Sequence, residues 1–328
     1  IDPDATAISF LLNGDTYDQP VKIPYSQLIG RIRQTANMFH ELGIGPGDVV
    51  TYILPNIPQT HYVLWGAEAA GIANPINPLL EAATIKDICN SAQTKVLVAL
   101  GEMPGTEIWQ KVDAIRKDIP TLKYVVRVMG PSDESENIVG YDEKIDVYPA
   151  DRYTFERKID PDEIASLYHT GGTTGTPKLA RRTHYNEVVM AYDLQIMGGF
   201  STGSTLLCGL PLFHCNGTIV TGLAPFSFGG HVVMLSPMGY REPSIMKNFY
   251  KIVETYRAET FSAVPTILSV LLDLPVADAD ISSLNYAICG AAPLSVELFK
   301  RVESHTGMKI LEGYGLTEGA VASAILGR

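Results

Sequence analysis

A run rich in glycine and threonine, Tyr168–Lys178, has the composition of a phosphate-binding loop. Glycines let main-chain N–H groups approach an anion, threonine hydroxyls add donors, and Lys178 adds positive charge. Arg181 and Arg182 follow at once and extend that charge. The candidate phosphate-binding residues are Thr170, Gly171, Gly172, Thr173, Thr174, Gly175, Thr176 and Lys178. We therefore expect this run to hold phosphate.

The surroundings of the run favour a loop over a flexible Gly/Thr linker. Apolar residues 164–167 precede it and predict a buried strand, and Thr183 and Asn186 can begin a helix after it. Linkers rarely lie between a buried strand and a helix. The Walker pattern does not fit, since Pro177 precedes the lysine and Leu179 follows it.

A second candidate run is Gly313-Tyr314-Gly315-Leu316-Thr317-Glu318, which follows a predicted strand. Thr317 can donate to a phosphate, and the Glu318 carboxylate can hold Mg²⁺, a cation that prefers oxygen. Tyr314 offers a flat face to a base. Taken alone, the same residues could form a surface turn with a solvated glutamate.

Two further segments stand at predicted strand ends. His214 lies in Leu210–Gly217, where a histidine taken alone would be a loop or core residue. The segment Gly290-Ala291-Ala292-Pro293, taken alone, could be a tight turn from a strand to a helix.

The elements that must position these residues alternate between strands and helices along the whole chain. This alternation predicts an α/β fold with two doubly wound, mostly parallel sheets and helices on both faces. The polar stretch 130–151 is the best candidate boundary, which gives lobes of about 1–150 and 151–328. Ligands of such folds bind at the carboxyl ends of the strands.

The overall composition excludes several classes of protein. With 328 residues, 46% of them hydrophobic and 19% charged, the chain has the composition of an ordinary globular protein. A net charge of -11 argues against a general binder of nucleic acid or of anionic membranes. Residues 194–240 carry no Asp, Glu, Lys or Arg, but prolines and glycines interrupt them, so we predict no transmembrane segment.

The cysteines indicate the compartment. Cys89, Cys208, Cys215 and Cys289 form no Cys-x-x-Cys pair, and three of them have apolar surroundings. We expect buried free thiols in a reducing compartment, the cytoplasm. A catalytic thiol or a zinc site has no support in the spacing.

Together these motifs resemble those of the adenylate-forming enzymes, which include acyl-CoA synthetases, luciferases and amino-acid-activating domains of peptide synthetases. The loop of that family usually reads Ser-Gly-Thr-Thr-Gly-x-Pro-Lys-Gly, and this chain departs from it with Leu179 at the final glycine. The family's Tyr-Gly-x-Thr-Glu motif matches Tyr314–Glu318 in order and spacing. Its Pro-x-Phe-His segment is similar to the residues up to His214, and the resemblance spans most of the chain.

The resemblance implies a role for each matched residue. Tyr314 would lie against adenine, Thr317 on the α-phosphate and Glu318 on the metal. The backbone of Gly290–Pro293 would line the adenine and acyl pockets. His214 would position the acid, and it favours an acid without an α-amino group, because amino-acid-activating members usually have Asp at this position.

The implied activity is ATP-dependent, with Mg²⁺, and converts a carboxylic acid to an acyl-adenylate and then to a thioester of coenzyme A. The acid would be fatty or otherwise apolar. The candidates to line a tunnel for its acyl chain are Met190, Phe213, Phe226 and Met234, and packing in the core is the alternative role for most of them. The predicted catalytic residues are Lys178, Thr317, Glu318 and His214. An acyl-AMP ligase that loads a carrier protein and a non-catalytic nucleotide-binding module remain alternatives. We expect no nucleic-acid partner and leave a homodimer open.

One expectation concerns the region after Glu318. The family continues with an Asp that holds the ribose hydroxyls, a hinge, and a small mobile domain that carries a further lysine. No Thr-Gly-Asp-like run follows Glu318 in this sequence. The resemblance therefore predicts a truncated large N-terminal domain that is poorly active alone.

Overall fold

Two sheets organise the residues that the computed structural model describes, 1–170 and 178–327. The first, with seven strands, belongs to a unit of residues 26–186 and 212–214. The second, with eight strands, belongs to a unit of residues 1–25, 187–211 and 215–328. We call them the seven-stranded unit and the eight-stranded unit.

The strands follow the apolar runs of the sequence. They are β1 Thr6–Leu11, β2 Val21–Pro24, β3 Val49–Ile53, β4 Ile72–Pro75, β5 Thr94–Leu100, β6 Tyr124–Val128, β7 Ile138–Gly140, β8 Ile164–His169, β9 Leu179–Thr183, β10 Thr205–Cys208, β11 His231–Leu235, β12 Thr260–Ala263, β13 Tyr286–Cys289, β14 Lys309–Tyr314 and β15 Ala324–Gly327.

The helices lie between the strands, and most of them are amphipathic. They are α1 Tyr25–Glu41, α2 Pro58–Ala70, α3 Ala82–Ala92, α4 Ile108–Ile115, α5 Tyr141–Lys144, α6 His184–Gly198, α7 Ala224–Phe228, α8 Pro243–Lys247, α9 Phe249–Tyr256, α10 Pro265–Leu272 and α11 Val296–Thr306, with a π-helix at Asn216–Leu223. None of the helices in the described part of the chain has both the length and the apolar character needed to cross a bilayer.

The seven-stranded sheet has the order β7-β6-β5-β3-β4-β8-β9, and all its pairs are parallel except β8 with β9. The chain passes from β3 to β4 on one side and then to β5 on the other. This reversal of direction is the place where doubly wound sheets bind ligands, outside the carboxyl ends of the strands.

The eight-stranded sheet has the order β15-β14-β13-β12-β10-β11-β1-β2 and is antiparallel only at its two edges. Its core includes Phe249 and Phe261, whose rings meet edge to face at 5.1 Å between centroids. Helix α11 packs on it through Phe299 and Val302. The Ser295 hydroxyl caps this helix by accepting from the Leu298 N–H at 3.1 Å.

The residues after the phosphate-loop run differ from the prediction. The helix predicted from Thr183 is present as α6, but the chain first returns as β9, antiparallel to β8, and this strand was not predicted. Residues 179–183 alternate in burial: Ala180 and Arg182 are buried, whereas Arg181 is exposed. That period of two is the signature of a strand with one face on the core.

The division of the chain also differs from lobes that meet near residue 150. The stretch 130–151 lies inside the seven-stranded unit, because β7 extends that sheet beside β6. Residues 1–25 belong to the eight-stranded unit because β1 pairs with β11, and β8 and β9 complete the seven-stranded sheet. Pairing between strands that are distant in sequence therefore determines which residues belong to each unit.

Candidate functional site

In the eight-stranded unit, two candidate segments meet at the carboxyl ends of neighbouring parallel strands. Strands β13 and β14 pair in a register that sets Cys289 opposite Glu312. Gly290 and Gly313 follow directly, and a Cβ atom added at Gly290 would lie 2.7 Å from the Gly313 carbonyl oxygen. Glycine at 290 therefore allows the two predicted nucleotide-binding segments to lie side by side.

The segment Gly313–Glu318 is held by its main chain. The Ser323 N–H donates to the Tyr314 carbonyl at 2.8 Å, and the Gly319 N–H donates to the Leu316 carbonyl at 3.1 Å. A Cβ atom at Gly315 would lie only 1.7 Å from the Val321 carbonyl oxygen, so glycine is required there. The chain thus folds back on itself directly after β14.

The side chains of this segment are available to a ligand. Tyr314 is 69% exposed, Glu318 is exposed and Thr317 is half-buried. Ala291 and Ala292 are also exposed, and Ala291 has a φ of 67°, a left-handed conformation that is uncommon for a residue with a side chain. A flat aromatic face, a hydroxyl and a carboxylate therefore stand free at one edge of the sheet.

The residues suited to magnesium are few. No group of three or more His, Cys, Asp or Glu side chains in the described ranges could hold a metal ion. Magnesium bound together with a nucleotide needs only one or two carboxylates, because phosphate oxygens and waters supply the other ligands. The exposed Glu318 carboxylate fits that requirement.

In the seven-stranded unit, the ends of the phosphate-loop run are closed by β8 and β9. The Thr170 N–H donates to the Lys178 carbonyl at 2.8 Å, directly beyond the pairing of His169 with Leu179. Lys178 is exposed and Thr170 half-buried. The other predicted residues of the run lie outside the described residues: Gly171, Gly172, Thr173, Thr174, Gly175 and Thr176.

Arg182 does not join Lys178 in an exposed cationic cluster. The Arg182 residue is only 1% exposed, and its guanidinium carbon lies 3.6 Å from the centroid of the Tyr168 ring. Such a stacked, buried cation is stabilised by the ring face. Arg182 is therefore not part of the exposed positive charge next to Lys178, whereas Arg181 is exposed.

The segment Leu212–His214 belongs to the seven-stranded unit. The Tyr52 hydroxyl donates to the Leu212 carbonyl at 2.7 Å, and the Leu212 N–H donates to the Asn56 side-chain oxygen at 3.0 Å. The His214 residue is exposed, yet enough protein surrounds its imidazole to lower its pKa, and the charge of Arg182 lowers that pKa further. The His214 imidazole is therefore kept uncharged near neutral pH.

His169 was not among the predicted site residues. Its Nε2 accepts a hydrogen bond from the Asn77 N–H at 3.2 Å. Burial lowers the pKa of His169, and the charge of His214 lowers that pKa further. The sequence feature that could have indicated His169 is its place as the last residue of a buried strand, directly before the phosphate-loop run.

The four cysteines and Met234 lie in the interior. The four cysteines are free and buried, and burial raises the pKa of Cys89 to about 12 and that of Cys208 to about 11. Such thiols carry little thiolate at neutral pH, which agrees with structural rather than catalytic roles. Met234, a candidate for an acyl tunnel, is fully buried in β11 between two neighbouring strands.

The sequence matches the family described as AMP-binding enzyme over residues 2–327. The marinolic acid–CoA ligase of Pseudoalteromonas sp. (strain SANK 73390) is 34% identical over 319 residues, 96% of this chain and 48% of that ligase. The long-chain-fatty-acid–CoA ligase of Bacillus subtilis (strain 168) is 28% identical over 341 residues, 97% of this chain and 58% of that ligase. This chain thus spans about half the length of the curated relatives that it matches.

A solved structure tests the fold. An anthranilate CoA ligase in complex with anthranoyl-AMP has a TM-score of 0.83 at 22% identity, covering 98% of this chain and 58% of that chain. This likeness confirms the predicted fold of two doubly wound, mostly parallel sheets. With a family match that extends over residues 2–327, this chain belongs to the AMP-binding enzymes.

Proposed function

We propose that the protein of which this chain is part activates a carboxylic acid with ATP to an acyl-adenylate and then transfers the acyl group to coenzyme A. The observation that carries the proposal is the family match over residues 2–327 together with a relative, 34% identical, that is named a CoA ligase. The exposed residues at the end of β14 support it, because they offer the donors that a nucleotide needs.

The chemistry asks for positioning and for stabilisation of charge. An oxygen of the acid's carboxylate attacks the α-phosphorus of ATP, a bond to that phosphorus forms, and pyrophosphate leaves with the electron pair. A carboxylate is already ionised at neutral pH, so no general base is needed. Thr317 would donate to the α-phosphate, and the exposed Lys178 ammonium would stabilise the charge that develops on the departing phosphates.

Magnesium enters this proposal through Glu318. When bound, the ion neutralises phosphate charge and orients the phosphates for displacement. The role of Glu318 is to supply one hard oxygen ligand at the end of β14, where Thr317 precedes it directly. Tyr314 would offer its exposed ring to the adenine, beside the main chain of Gly290–Pro293.

The acid is proposed to lack an α-amino group and to be fatty or otherwise apolar. His214 is kept uncharged beside Arg182, and an additional cation on the substrate would be repelled by that arginine. The relative named for long-chain fatty acids agrees with an apolar acid.

Exchange of labelled pyrophosphate into ATP, measured for a panel of acids on the full-length protein, tests the proposal. We expect exchange that depends on a fatty or aromatic acid and on Mg²⁺, and no exchange with amino acids. Exchange without formation of an acyl-CoA would favour an acyl-AMP ligase that loads a carrier protein. If the protein binds nucleotide but shows no exchange with any acid of the panel, a non-catalytic module is favoured and the proposal is overturned.

A further inference from the structure

Three buried polar side chains form a hydrogen-bonded network across the seven-stranded sheet. Thr94 in β5, Thr51 in β3 and Asn74 in β4 are all fully buried. The Thr94 and Thr51 hydroxyls lie 2.6 Å apart, and the Thr51 hydroxyl donates to Asn74 Oδ1 at 3.2 Å. Asn74 Nδ2 then donates to the Leu167 carbonyl in β8 at 2.9 Å. Because β5, β3, β4 and β8 are consecutive in the sheet, this polar network joins four neighbouring strands.

The direction of every bond in the polar network follows from the Leu167 carbonyl, which can only accept. Asn74 must turn its amide nitrogen toward that carbonyl, so its oxygen faces Thr51. The single hydroxyl proton of Thr51 goes to this oxygen, and Thr94 therefore donates to Thr51. Both ends of the Asn74 amide have a partner, and the amide is held in one orientation.

Strand β8 has little main-chain attachment to the parallel part of the sheet. It pairs with β4 at Ala73 and Ser166, whereas its antiparallel pairing with β9 extends from Ile164 to His169. The two strands β8 and β9 thus form a hairpin at one side of the sheet. The bond from Asn74 to the Leu167 carbonyl adds a second attachment of this hairpin to β4.

The sequence of β4 explains why a side chain makes this bond. The N–H groups of Ile72 and Ile76 donate to carbonyls on the β3 side of the strand. Since main-chain N–H groups alternate between the two sides of a strand, that of residue 75 would face β8. Residue 75 is proline, which has no N–H to donate. The Asn74 amide therefore supplies a donor to β8 next to the position where the main chain has none.

The bonded end of β8 leads directly to two predicted phosphate-binding residues. Leu167 lies three positions before Thr170, whose N–H donates to the Lys178 carbonyl at 2.8 Å. Between them, His169 Nε2 accepts from the N–H of Asn77, in the turn that follows β4, at 3.2 Å. Strand β4 and its turn thus hold the end of the hairpin at two points, close to Thr170 and Lys178.

We propose that Asn74 is a positioning residue for the phosphates of the nucleotide, because its amide fixes the end of β8 and thereby the place of Thr170 and Lys178. The inference rests on the proposed function, which assigns Lys178 to the phosphates. Asn74 is buried in the sheet and acts through β8. Stability alone does not require the polar network, since apolar side chains of the same shape can replace bonded polar pairs at little cost. A fully bonded network instead fixes one arrangement, which gives the precise placement that phosphate transfer requires.

Two variants of the full-length protein remove the polar network to different extents. Asn74→Leu removes both the donor to Leu167 and the acceptor for Thr51 with a side chain of similar size. Thr51→Val keeps the bond from Asn74 to Leu167 but releases the other end of the amide. Circular dichroism and denaturant unfolding show which variants are folded. If Asn74→Leu does not fold, Thr51→Val decides the question.

Asn37→Leu is the matched control. Asn37 is a fully buried asparagine in α1 of the same unit. Its Nδ2 donates to the carbonyls of Pro149 and Arg152 at 3.1 and 3.0 Å, and its Oδ1 accepts from the Thr154 N–H at 2.8 Å. The control therefore loses an equally buried amide that holds residues 149–154 rather than β8.

The main readout is the affinity for ATP relative to adenosine, measured by titration calorimetry. Adenosine lacks the phosphates, so its affinity should not depend on the end of β8. We expect Asn74→Leu to weaken ATP binding about tenfold and Thr51→Val about threefold, as for lost buried hydrogen bonds, with adenosine affinity unchanged. Asn37→Leu should unfold at lower denaturant concentration and keep the wild-type ratio of the two affinities.

Hydrogen exchange supplies a readout that does not depend on a ligand. In Asn74→Leu, we expect the amides of β8 and β9, including that of Thr170, to exchange faster, whereas those of β6 stay as in the wild type. Equal losses for ATP and adenosine, an equal ATP loss in Asn37→Leu, or unchanged ATP affinity in the folded variants would overturn the proposal.

The failure of the proposed function gives a different result. If the wild type binds ATP more tightly than adenosine but shows no acid-dependent pyrophosphate exchange, activation of an acid is wrong, and the variants still test the role of Asn74. A wild type that binds ATP no more tightly than adenosine would overturn the positioning role itself.

Discussion

At the end of β14, Tyr314 and Glu318 are exposed, and the main chain around them fixes their position. In β8 and β9, by contrast, the His169 side chain is bound by the main chain of a distant turn, and the Arg182 side chain is stacked on the Tyr168 ring. The first region depends on glycine at 315, where no Cβ atom can fit. The second depends on a cation stacked on Tyr168 and on a bond to Asn77. The two regions should therefore respond differently to substitution.

Because of this difference, a substitution in one region is expected to affect binding alone, whereas a substitution in the other affects stability as well. In the eight-stranded unit, an exposed side chain such as Glu318 can change without loss of packing, because main-chain hydrogen bonds and the close approach at Gly315 hold the segment. In the seven-stranded unit, a change at the site also removes contacts of the core.

Gly315→Ala should disrupt the connection between β14 and β15. Its Cβ atom would lie 1.7 Å from the Val321 carbonyl oxygen, a main-chain atom that cannot move without shifting the strand. We expect a loss of about 3 kcal/mol in the free energy of unfolding, as for an overpacked site. Denaturant unfolding measures it. Gly319→Ala is the control, because its nearest new contact is the flexible Ser323 hydroxyl at 3.2 Å; similar losses in both variants would contradict the assignment.

Glu318→Gln should leave stability unchanged and impair the use of Mg²⁺. Removing a carboxylate from a hard-cation ligand set loses charge, so we expect pyrophosphate exchange at limiting Mg²⁺ to fall roughly 100-fold. Glu297→Gln, at a side chain that is 81% exposed in α11, is the control. Rates measured across a Mg²⁺ titration decide the matter, and a wild-type titration curve in Glu318→Gln would remove the metal role.

The sequence was most informative where local signals determine the structure. The bounds of β10 and β11 follow from uninterrupted apolar runs, and Ser295 with Gly307 marks both ends of α11. The motif after β14 could be identified because the residues that face a ligand there are adjacent in sequence. Local composition was sufficient for these elements.

Elements that depend on distant contacts could not be predicted in the same way. Strand β9 contains Arg181 and Arg182, and the buried guanidinium of Arg182 lies over the ring of Tyr168 in the neighbouring strand β8. Likewise, the bond from Asn77 to His169 joins residues that are 92 positions apart. Neither contact could be predicted from this sequence alone, because nothing near one residue of the pair indicates which distant residue it meets.

Arg182→Met should affect stability and the site together. The substitution keeps much of the apolar stem but removes the stacked cation, so we expect a loss of about 2 kcal/mol in the free energy of unfolding. The charge of Arg182 lowers the pKa of His214, and its removal should therefore raise that pKa. Denaturant unfolding and histidine NMR measure the two effects. Arg181→Met, on the exposed face of β9, should change neither, and a His214 titration unaffected by Arg182→Met would show that the two regions do not differ as argued.

The effect expected to be smallest at neutral pH concerns His231, a titratable group at the amino end of β11. Its Nε2 lies 2.8 Å from the Ser9 hydroxyl, and its Nδ1 lies 3.4 Å from the Thr205 hydroxyl. Burial lowers the pKa of His231 to about 4, and the charge of Lys22 lowers it further in the same direction.

Because the folded-state pKa of His231 lies below the unfolded value of about 6.5, the unfolded chain binds more protons between these two values. The contribution of His231 to stability is therefore fully present above about pH 6.5 and is lost as the pH falls toward 4, by about 1 kcal/mol per pH unit. We expect His231→Gln to be less stable than the wild type at pH 7 and to lose less stability on acidification, so that the two curves of unfolding free energy converge. The rate of acid-dependent pyrophosphate exchange at pH 7 should not change. His231 contacts strands β1 and β10 rather than the ends of β13 and β14. Parallel pH dependences of stability in the two proteins would show that His231 is not held uncharged by burial, and a kinetic effect would show that buried polar groups of the eight-stranded unit also position its site.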